Sequence, residues 1–248
     1  MRVISMVPSW TEMLIECGIE VVGRTRFCIH PLQAVKQIPV VGGTKDIDWL
    51  KVQDLKADLL ILDQEENPRS MSEQSPIPWI ASHVTSVSSV EYQLEKLNEK
   101  LVNPKVAKLA QRWRQVAKQK RNWNWNQIPG ELEVLRRDFP DYQKIVYVIW
   151  KNPWMRVATG SFISSVLESL GAEKYLMAAE SKYPTFELSD FDPKETYFLF
   201  SSEPFPFRKQ KQDLKNISLQ ASIVDGECFS WFGLRSLRFL ETWLNCQP

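Results

Sequence analysis

The densest group of reactive side chains in the sequence is the run Arg26, Phe27, Cys28, Ile29, His30 and Pro31. A thiolate and an imidazole ligate soft or borderline metals, so Cys28 and His30 are candidate metal ligands. Two donors leave a closed site short, and Glu65, Glu66 and Glu203 are the carboxylates that would complete it if the fold gathered them. A loop with a half-buried thiol and a capped imidazole is the plainer reading, and for metal ligation it is favoured. For lining a ligand site the functional reading is favoured, with Arg26 and Phe27 included. A thiolate–imidazole nucleophile is the other chemistry open to the pair, but neighbours in one loop rarely align for it.

Further candidates follow apolar runs that read as buried strands. Glu65 and Glu66 come directly after one such run, and paired carboxylates there suit a cation, an amine or a metal complex. Trp150 and Trp154 flank Lys151 after another, an arrangement suited to stacking a flat conjugated ligand. Glu203 and Phe205 repeat the pattern later, and Trp231 and Arg235 are expected to complete that second wall. Ser9 and Trp10 sit where a helix N-terminus presents its N–H groups, which attract anionic groups. The motifs of common catalysts are missing: there is no Gly-x-Ser-x-Gly elbow and no His-Glu-x-x-His. Thr44-Lys45 after Gly42-Gly43 lacks the spacing of a phosphate loop.

The elements that must carry these groups alternate. Val3 to Met6 reads as a strand, and Ser9 with Glu12 as a capping box opening a helix that stops at Gly18. Strands are expected over 20–22, 38–41 and 58–62, with a short helix over 46–55. Extended segments are expected at 77–81 and 84–87, then a helix opened by a second capping box, Ser88 with Glu91. Asn103-Pro104 opens a helix of about five turns striped by Val106, Leu109, Trp113 and Val116, and Asn122 to Gly130 reads as a loop. The alternation then resumes with strands at 144–150, 196–201 and 222–225 and helices at 162–170 and along Leu234, Leu237, Leu240 and Leu244. Alternating strands and helices give an α/β class with parallel sheets.

Composition bounds the rest. The 248 residues carry 31 Lys and Arg against 30 Asp and Glu, a net charge of +1 that supplies no field for gathering nucleic acid or an anionic membrane. The basic face of the helix after Asn103 therefore reads as a solvated surface. Membrane insertion is not expected, because no stretch approaches the ~18 apolar residues of a span. Val3 to Val7 is too short for the apolar region of a signal peptide, so a cytoplasmic place is expected, or a periplasmic one if the chain has been trimmed. Cys17, Cys28, Cys228 and Cys246 show no close-spaced disulfide framework. Ten tryptophans exceed what a core of this size needs and point to an aromatic-lined ligand site.

Taken in order, these segments are similar to one family. RVISMVPSWTEMLIECGIEVVGRT and PVVGGTKDIDWLKVQDLKADLLIL resemble the N-lobe, and ATGSFISSVLESLGAEKY and IVDGECFSWFGLRSLRFLETW the C-lobe, of class III, helical-backbone periplasmic solute-binding proteins. Those are the receptors of cobalamin and ferric-complex ABC transporters. TRFCIHP, GGTKDID, DQEEN, IWKNPWM, SSEPFPF and DGECFSWFGLR resemble a narrower, leaderless branch identified as helical backbone metal receptors. The resemblance implies two parallel-sheet α/β lobes joined by one long backbone helix, with the ligand in the cleft between them. The expected division is an N-terminal lobe over 1–102, the helix and connector over 103–129, and a C-terminal lobe over 130–248. It implies a non-catalytic receptor or carrier for a metal-containing or flat organic ligand, such as a corrinoid or an iron complex, served by an ABC permease. Where the cobalamin receptors stack the corrin on tryptophans, this chain has Asp63 and Cys228, leaving Trp150, Trp154 and Trp231 as replacement faces. The alternative reading is a metal- or thiol-dependent enzyme, or a metallochaperone, using Cys28 and His30.

Overall fold

The computed structural model describes residues 1–138, 141–217 and 219–244, so Cys246 lies outside the described residues. Two compact units emerge, the first made of residues 1–84, 88–114 and 231–237. Its sheet contains β1 (Arg2–Ser5), β2 (Glu20–Thr25), β3 (Val40–Gly42), β4 (Leu59–Asp63) and β5 (Trp79–Ser82) in the order β3-β2-β1-β4-β5. Every pairing is parallel. β4 is buried at all five positions, which is why a strand covered on both faces reads as an unbroken apolar run rather than an alternation. Ile4, Met6, Val41, Val52, Leu60, Leu62 and Met71 form a core on one face of this sheet.

The helices of this unit are α1 (Pro8–Glu16), α2 (Leu32–Val35), α3 (Trp49–Asp54), α4 (Arg69–Glu73), α5 (Ser89–Leu101) and the first part of α6 (Pro104–Ala117). Neither expected capping box forms. Val7 is the N-cap of α1, with Pro8 in the first turn where its missing N–H is harmless. Ser88 makes no side-chain cap on α5, and Glu91 instead pairs with Arg114 of α6. The segment 84–87 is a loop and not a strand; Val87 N–H donates to Ser165 Oγ at 2.9 Å. Asn103 does open α6, its Oδ1 accepting from Lys105 N–H at 2.9 Å, and the helix runs 14 residues, shorter than the expected five turns. The chain passes from the first unit to the second within α6, after Arg114.

The second unit comprises residues 85–87, 115–230 and the segment from Arg238 onward. Its sheet contains β6 (Glu131–Arg136), β7 (Lys144–Trp150), β8 (Met155–Arg156), β9 (Thr196–Ser201) and β10 (Ala221–Val224), ordered β6-β10-β9-β7-β8. β7, β9 and β10 are parallel, whereas the edge strands β6 and β8 are antiparallel, so this sheet is mixed at both edges rather than wholly parallel. Helices α7 (Phe162–Ser169), α8 (Lys211–Asn216) and α9 (Gly226–Ser230) belong here, and α10 (Leu234–Trp243) starts in the first unit and ends in the second. Val146, Val148, Phe198, Phe200, Phe207 and Ile223 form the core against which Trp154 packs.

Gly171 ends α7 in a left-handed conformation, φ +89°, with its N–H on the Glu168 carbonyl and the next N–H on that of Leu167. A Cβ at this position would fall inside the contact distance of the Arg121 carbonyl oxygen. Gly171→Ala is expected to cost about 2–4 kcal/mol, the left-handed penalty plus overpacking against backbone. Urea titration of the intact chain would read this as a lower midpoint at unchanged slope.

Candidate functional site

Five parallel strands place all their following loops along one edge of the first unit's sheet. In open parallel sheets ligands sit at that carboxyl edge, beside the point where the strand order reverses. Here the reversal lies between β1 and β4. Asn67 ties the loops there together. Its Oδ1 accepts from Asp63 N–H at 2.8 Å, and its Nδ2 donates to the carbonyls of Met6 at 3.2 Å and Thr44 at 2.9 Å.

Behind this edge runs a buried polar chain. The Trp10 indole N–H donates to Ser82 Oγ at 2.8 Å, and that hydroxyl lies 2.8 Å from Asp63 Oδ2. Asp63 Oδ1 accepts from Glu65 N–H at 2.9 Å, while burial raises its carboxyl against these donors. Trp10 is fully buried, its ring 4.8 Å from Phe232, and Ser9 is buried as well. Both residues expected at the ligand face thus serve the interior. Cys28 is also fully buried, its Sγ 3.0 Å from Thr11 Oγ and 3.1 Å from Thr25 Oγ. Burial pushes the thiol up, the threonine hydroxyls oppose the shift, and the nearby Glu66 charge adds to it. Such a thiol stays protonated at neutral pH.

His30 takes a different partner, its ring 5.5 Å from Trp231 in an edge contact. Trp231 and Arg235 belong to the first unit and not to the second wall expected of them. Arg235 reaches both oxygens of Glu12, Nε at 3.1 Å and Nη2 at 3.3 Å, and its guanidinium lies 5.7 Å over the Trp231 ring. Gly233 lets the chain press on the Ser9 carbonyl, where a Cβ could not fit. Arg26 is paired with Asp46 and lies 5.5 Å over Phe27, whose ring is 52% exposed. Among the described residues, no three of His, Cys, Asp and Glu are grouped to hold a metal ion, so the carboxylates do not complete a site around Cys28 and His30.

The loop after β4 carries the electrostatic centre. Glu65 Oε1 lies 3.4 Å from His83 Nε2, and Lys45 Nζ donates to the Glu65 carbonyl at 3.4 Å. Glu66 is pushed up to about 8, first by burial, then by the Asp63 and Glu65 charges, with Lys45 opposing. It therefore holds a proton at neutral pH until a positive charge arrives beside it.

In the second unit the loops after β7, β9 and β10 share one edge in the same way. Trp150 is 40% exposed, its ring 5.5 Å from Phe205. Trp154 packs near Phe186, Phe200 and Phe207, with Lys151 Nζ 5.5 Å from its centroid, so its ring is largely committed to the core. Glu203 N–H and carbonyl both engage Ser201 Oγ, and Gly226 lies against this turn. Sequence reasoning missed His83 as a member of the first edge and Glu12 as the anchor of Arg235, and it named Asp63 only as the residue standing where the cobalamin receptors have a tryptophan. Asp63 and His83 each close or follow an apolar run, a signal used for Glu65 but not for them. Glu12 carried no local signal, since its partner is 223 positions away.

No family model matches the chain, and no curated protein sequence matches it. Solved structures of the class III periplasmic binding type share its fold from end to end. The periplasmic vitamin B12 binding protein BtuF of Vibrio cholerae is 19% identical with a TM-score of 0.69, covering 98% of this chain and 95% of its own. A periplasmic heme binding protein from Pseudomonas aeruginosa is 17% identical with a TM-score of 0.70, covering 100% and 94%. IsdE of S. aureus, solved with heme, is 14% identical with a TM-score of 0.70, covering 98% and 97%.

Two stability measurements test this geometry. Because the folded state holds the Glu66 proton up to about pH 8 while an unfolded glutamate releases it near 4.5, this group makes stability fall between those pH values. Glu66→Gln is expected to melt above the parent at pH 8–9, with the gap shrinking towards pH 5. Arg235→Ala would leave Glu12, only 5% exposed, without its guanidinium. The expected loss is about 2–4 kcal/mol, at the lower end for buried pairs because Arg235 keeps some water contact. A denaturant midpoint within error of the parent would overturn the assignment of that pair.

Proposed function

We propose that this chain is a non-catalytic solute-binding protein for a metal-containing or flat organic ligand of the corrinoid or iron-complex kind. The observation that carries the reading is that the loops after β2, β4 and β5, which bear His30, Glu65, Glu66 and His83, leave one carboxyl edge of a parallel sheet, with Trp231 against His30 and His83 against Glu65, in a fold shared with vitamin B12 and heme binding proteins. These residues offer one indole, two imidazoles and two carboxylates, a set suited to holding a ligand, and among them there is no nucleophile–base pair of the kind acyl or phosphoryl transfer needs. Trp150 and Glu203 are the groups of the second unit that suit the same kind of ligand.

The enzyme alternative asks Cys28 to act as a thiolate. Its partners are two threonine hydroxyls and burial raises its pKa, a state that argues for a structural thiol. Several of the structural neighbours are periplasmic proteins, and one is an ABC transporter substrate-binding protein from Listeria monocytogenes. Our reading is therefore a periplasmic receptor that delivers its ligand to an ABC permease. The expected cytoplasmic place has no support from these neighbours. Among the described residues no helix is long and apolar enough to cross a membrane.

The test is visible-absorbance and tryptophan-quenching titration with aquocobalamin, diaquocobinamide and hemin, alongside mass spectrometry of what the purified protein retains. One of these ligands is expected to bind at 1:1 stoichiometry and to be recovered chemically unchanged. Trp231→Ala should weaken binding about 30-fold, the loss of an aromatic contact worth ~2 kcal/mol. Turnover of the ligand that disappears in Cys28→Ser would reverse the reading in favour of an enzyme.

A further inference from the structure

The candidate site is built from loops, and a loop leaving a parallel sheet has no ladder to hold it. Its backbone polar groups still need partners, and a loop free to move dilutes any binding geometry it takes part in. The Met6 carbonyl lies one residue past the end of β1, and the Thr44 carbonyl two past the end of β3. One side chain closes both. The Asn67 carboxamide donates to each of them and accepts from the Asp63 N–H at the end of β4.

Few side chains can make these bonds at this reach. Two donors and an acceptor are needed at once on a short planar group; ionised aspartate has no donor, serine has one, and glutamine carries its amide a methylene further out. The partners stand 61, 23 and 4 positions away, so no local turn brings them together. Asn67 is 6% exposed, which places it behind the loops rather than on their outer face. Its own N–H donates to the Asp63 carbonyl at 2.9 Å, and with the return bond from Asp63 N–H to Oδ1 this closes residues 63–67 into a ring of chain. Glu65 and Glu66 stand on that ring, and Glu65 N–H donates to Asp63 Oδ1 within it. Lys45 follows Thr44 directly, and its ammonium reaches the Glu65 carbonyl at 3.4 Å, so the loops after β3 and β4 meet a second time.

We infer that Asn67 is the positioning residue of the candidate site: its carboxamide locks the loops after β1, β3 and β4 into one unit that stands formed before a ligand arrives. The consequence for binding rests on the receptor reading; the lock itself does not. Removing the lock lets the loops populate other arrangements, and apparent affinity then falls by the fraction left in the binding arrangement. That factor is a property of the protein, because the side chain acts through backbone groups and not on the ligand. It is therefore the same for ligands of different chemistry, whereas loss of a residue that touches the ligand would discriminate among them.

The plainer alternative is that Asn67 supports the whole first unit and no loop in particular. The two roles differ in where protection from hydrogen exchange is lost, and three amides separate them. Asp63 N–H has Asn67 Oδ1 as its acceptor. Gly43 N–H donates to the Asp46 carbonyl at 3.0 Å, inside the loop after β3, and has no bond to Asn67. Leu60 N–H donates to the Pro78 carbonyl at 2.9 Å, within the sheet. A lock frees the first two together and spares the third; general support frees all three.

The experiment is residue-resolved hydrogen exchange on the full chain and on Asn67→Ala and Asn67→Asp, followed by fluorescence titration of each with aquocobalamin and with hemin. In Asn67→Ala the Asp63 and Gly43 amides are expected to exchange about tenfold or more faster, with Leu60 changed by less than about threefold. Asn67→Asp sets an ionised carboxylate against two carbonyls at about pH 8 and should match Asn67→Ala there. Towards about pH 5 its protonated form regains one donor and, with it, part of the protection. Asp63, Glu65, Glu66 and Lys45, the ionisable groups on the bonded loops, are common to parent and variant, so their difference isolates position 67. The acid-rescued variant also carries the test if Asn67→Ala does not fold. Each probe that binds the parent should weaken by one common factor of about tenfold. Faster exchange at Asp63 alone, equal acceleration of all three amides, or no acid rescue would overturn the lock. Unchanged affinity in a variant with loosened loops would overturn the positioning role. Failure of both probes to bind the parent would count against the receptor reading, while the exchange rates still decide the lock.

Discussion

Parallel strand pairing is the constraint on which the candidate site depends. A parallel neighbour can be reached only by a crossover, so each strand of the first unit must return through a helix or long loop before the next begins. Every carboxyl end then falls on the same edge, and residues as distant in sequence as Arg26, Lys45, Glu65 and His83 become neighbours without any local signal linking them. The reversal of strand order between β1 and β4 opens that edge, and Asn67 bridges it with bonds to three loops. Were the sheet antiparallel, half of these loops would lie at the opposite edge and no common face would exist.

What the sequence revealed follows from which interactions are local. The strands Lys144–Trp150 and Thr196–Ser201 were legible to the residue because strands buried on both faces read as unbroken apolar runs. β6 was missed because its alternation Glu-Leu-Glu-Val-Leu-Arg leaves Leu132 and Val134 exposed and its glutamates half-buried, the reverse of the usual inward apolar face. β8, at two residues, carries no period at all. The helix starts were misread for a related reason. Ser-x-x-Glu predicts a reciprocal cap, but Glu12 lies in a nearly dry setting where an arginine is a far stronger partner than a backbone N–H.

The tryptophan surplus taught a similar lesson. Ten indoles suggested a ligand wall, yet Trp10, Trp113 and Trp125 are buried in the two units, and Trp154 joins a phenylalanine cluster. Trp125 alone touches Trp123, Tyr142, Tyr175 and Tyr197 in edge or tilted contacts, a cage built inside the second unit. Composition counts aromatics but not their faces. Only Trp150 and Trp231, of those expected at the ligand, keep a setting that suits recognition, and they do so in different units.

The electrostatics of the β4 loop show why such a setting is kept. Asp63 is buried, and its cost is offset by Ser82 Oγ and by backbone N–H groups of the following residues. For Glu66 burial and the Asp63 charge outweigh the opposing Lys45 ammonium, and no hydroxyl or backbone N–H is among its main influences. A glutamine of the same shape would spare the fold this penalty, so in stability terms Glu66 is the wrong residue. Carboxyls held out of their ordinary range by burial concentrate at functional positions, because the same desolvation that raises the pKa strengthens attraction to an incoming positive charge.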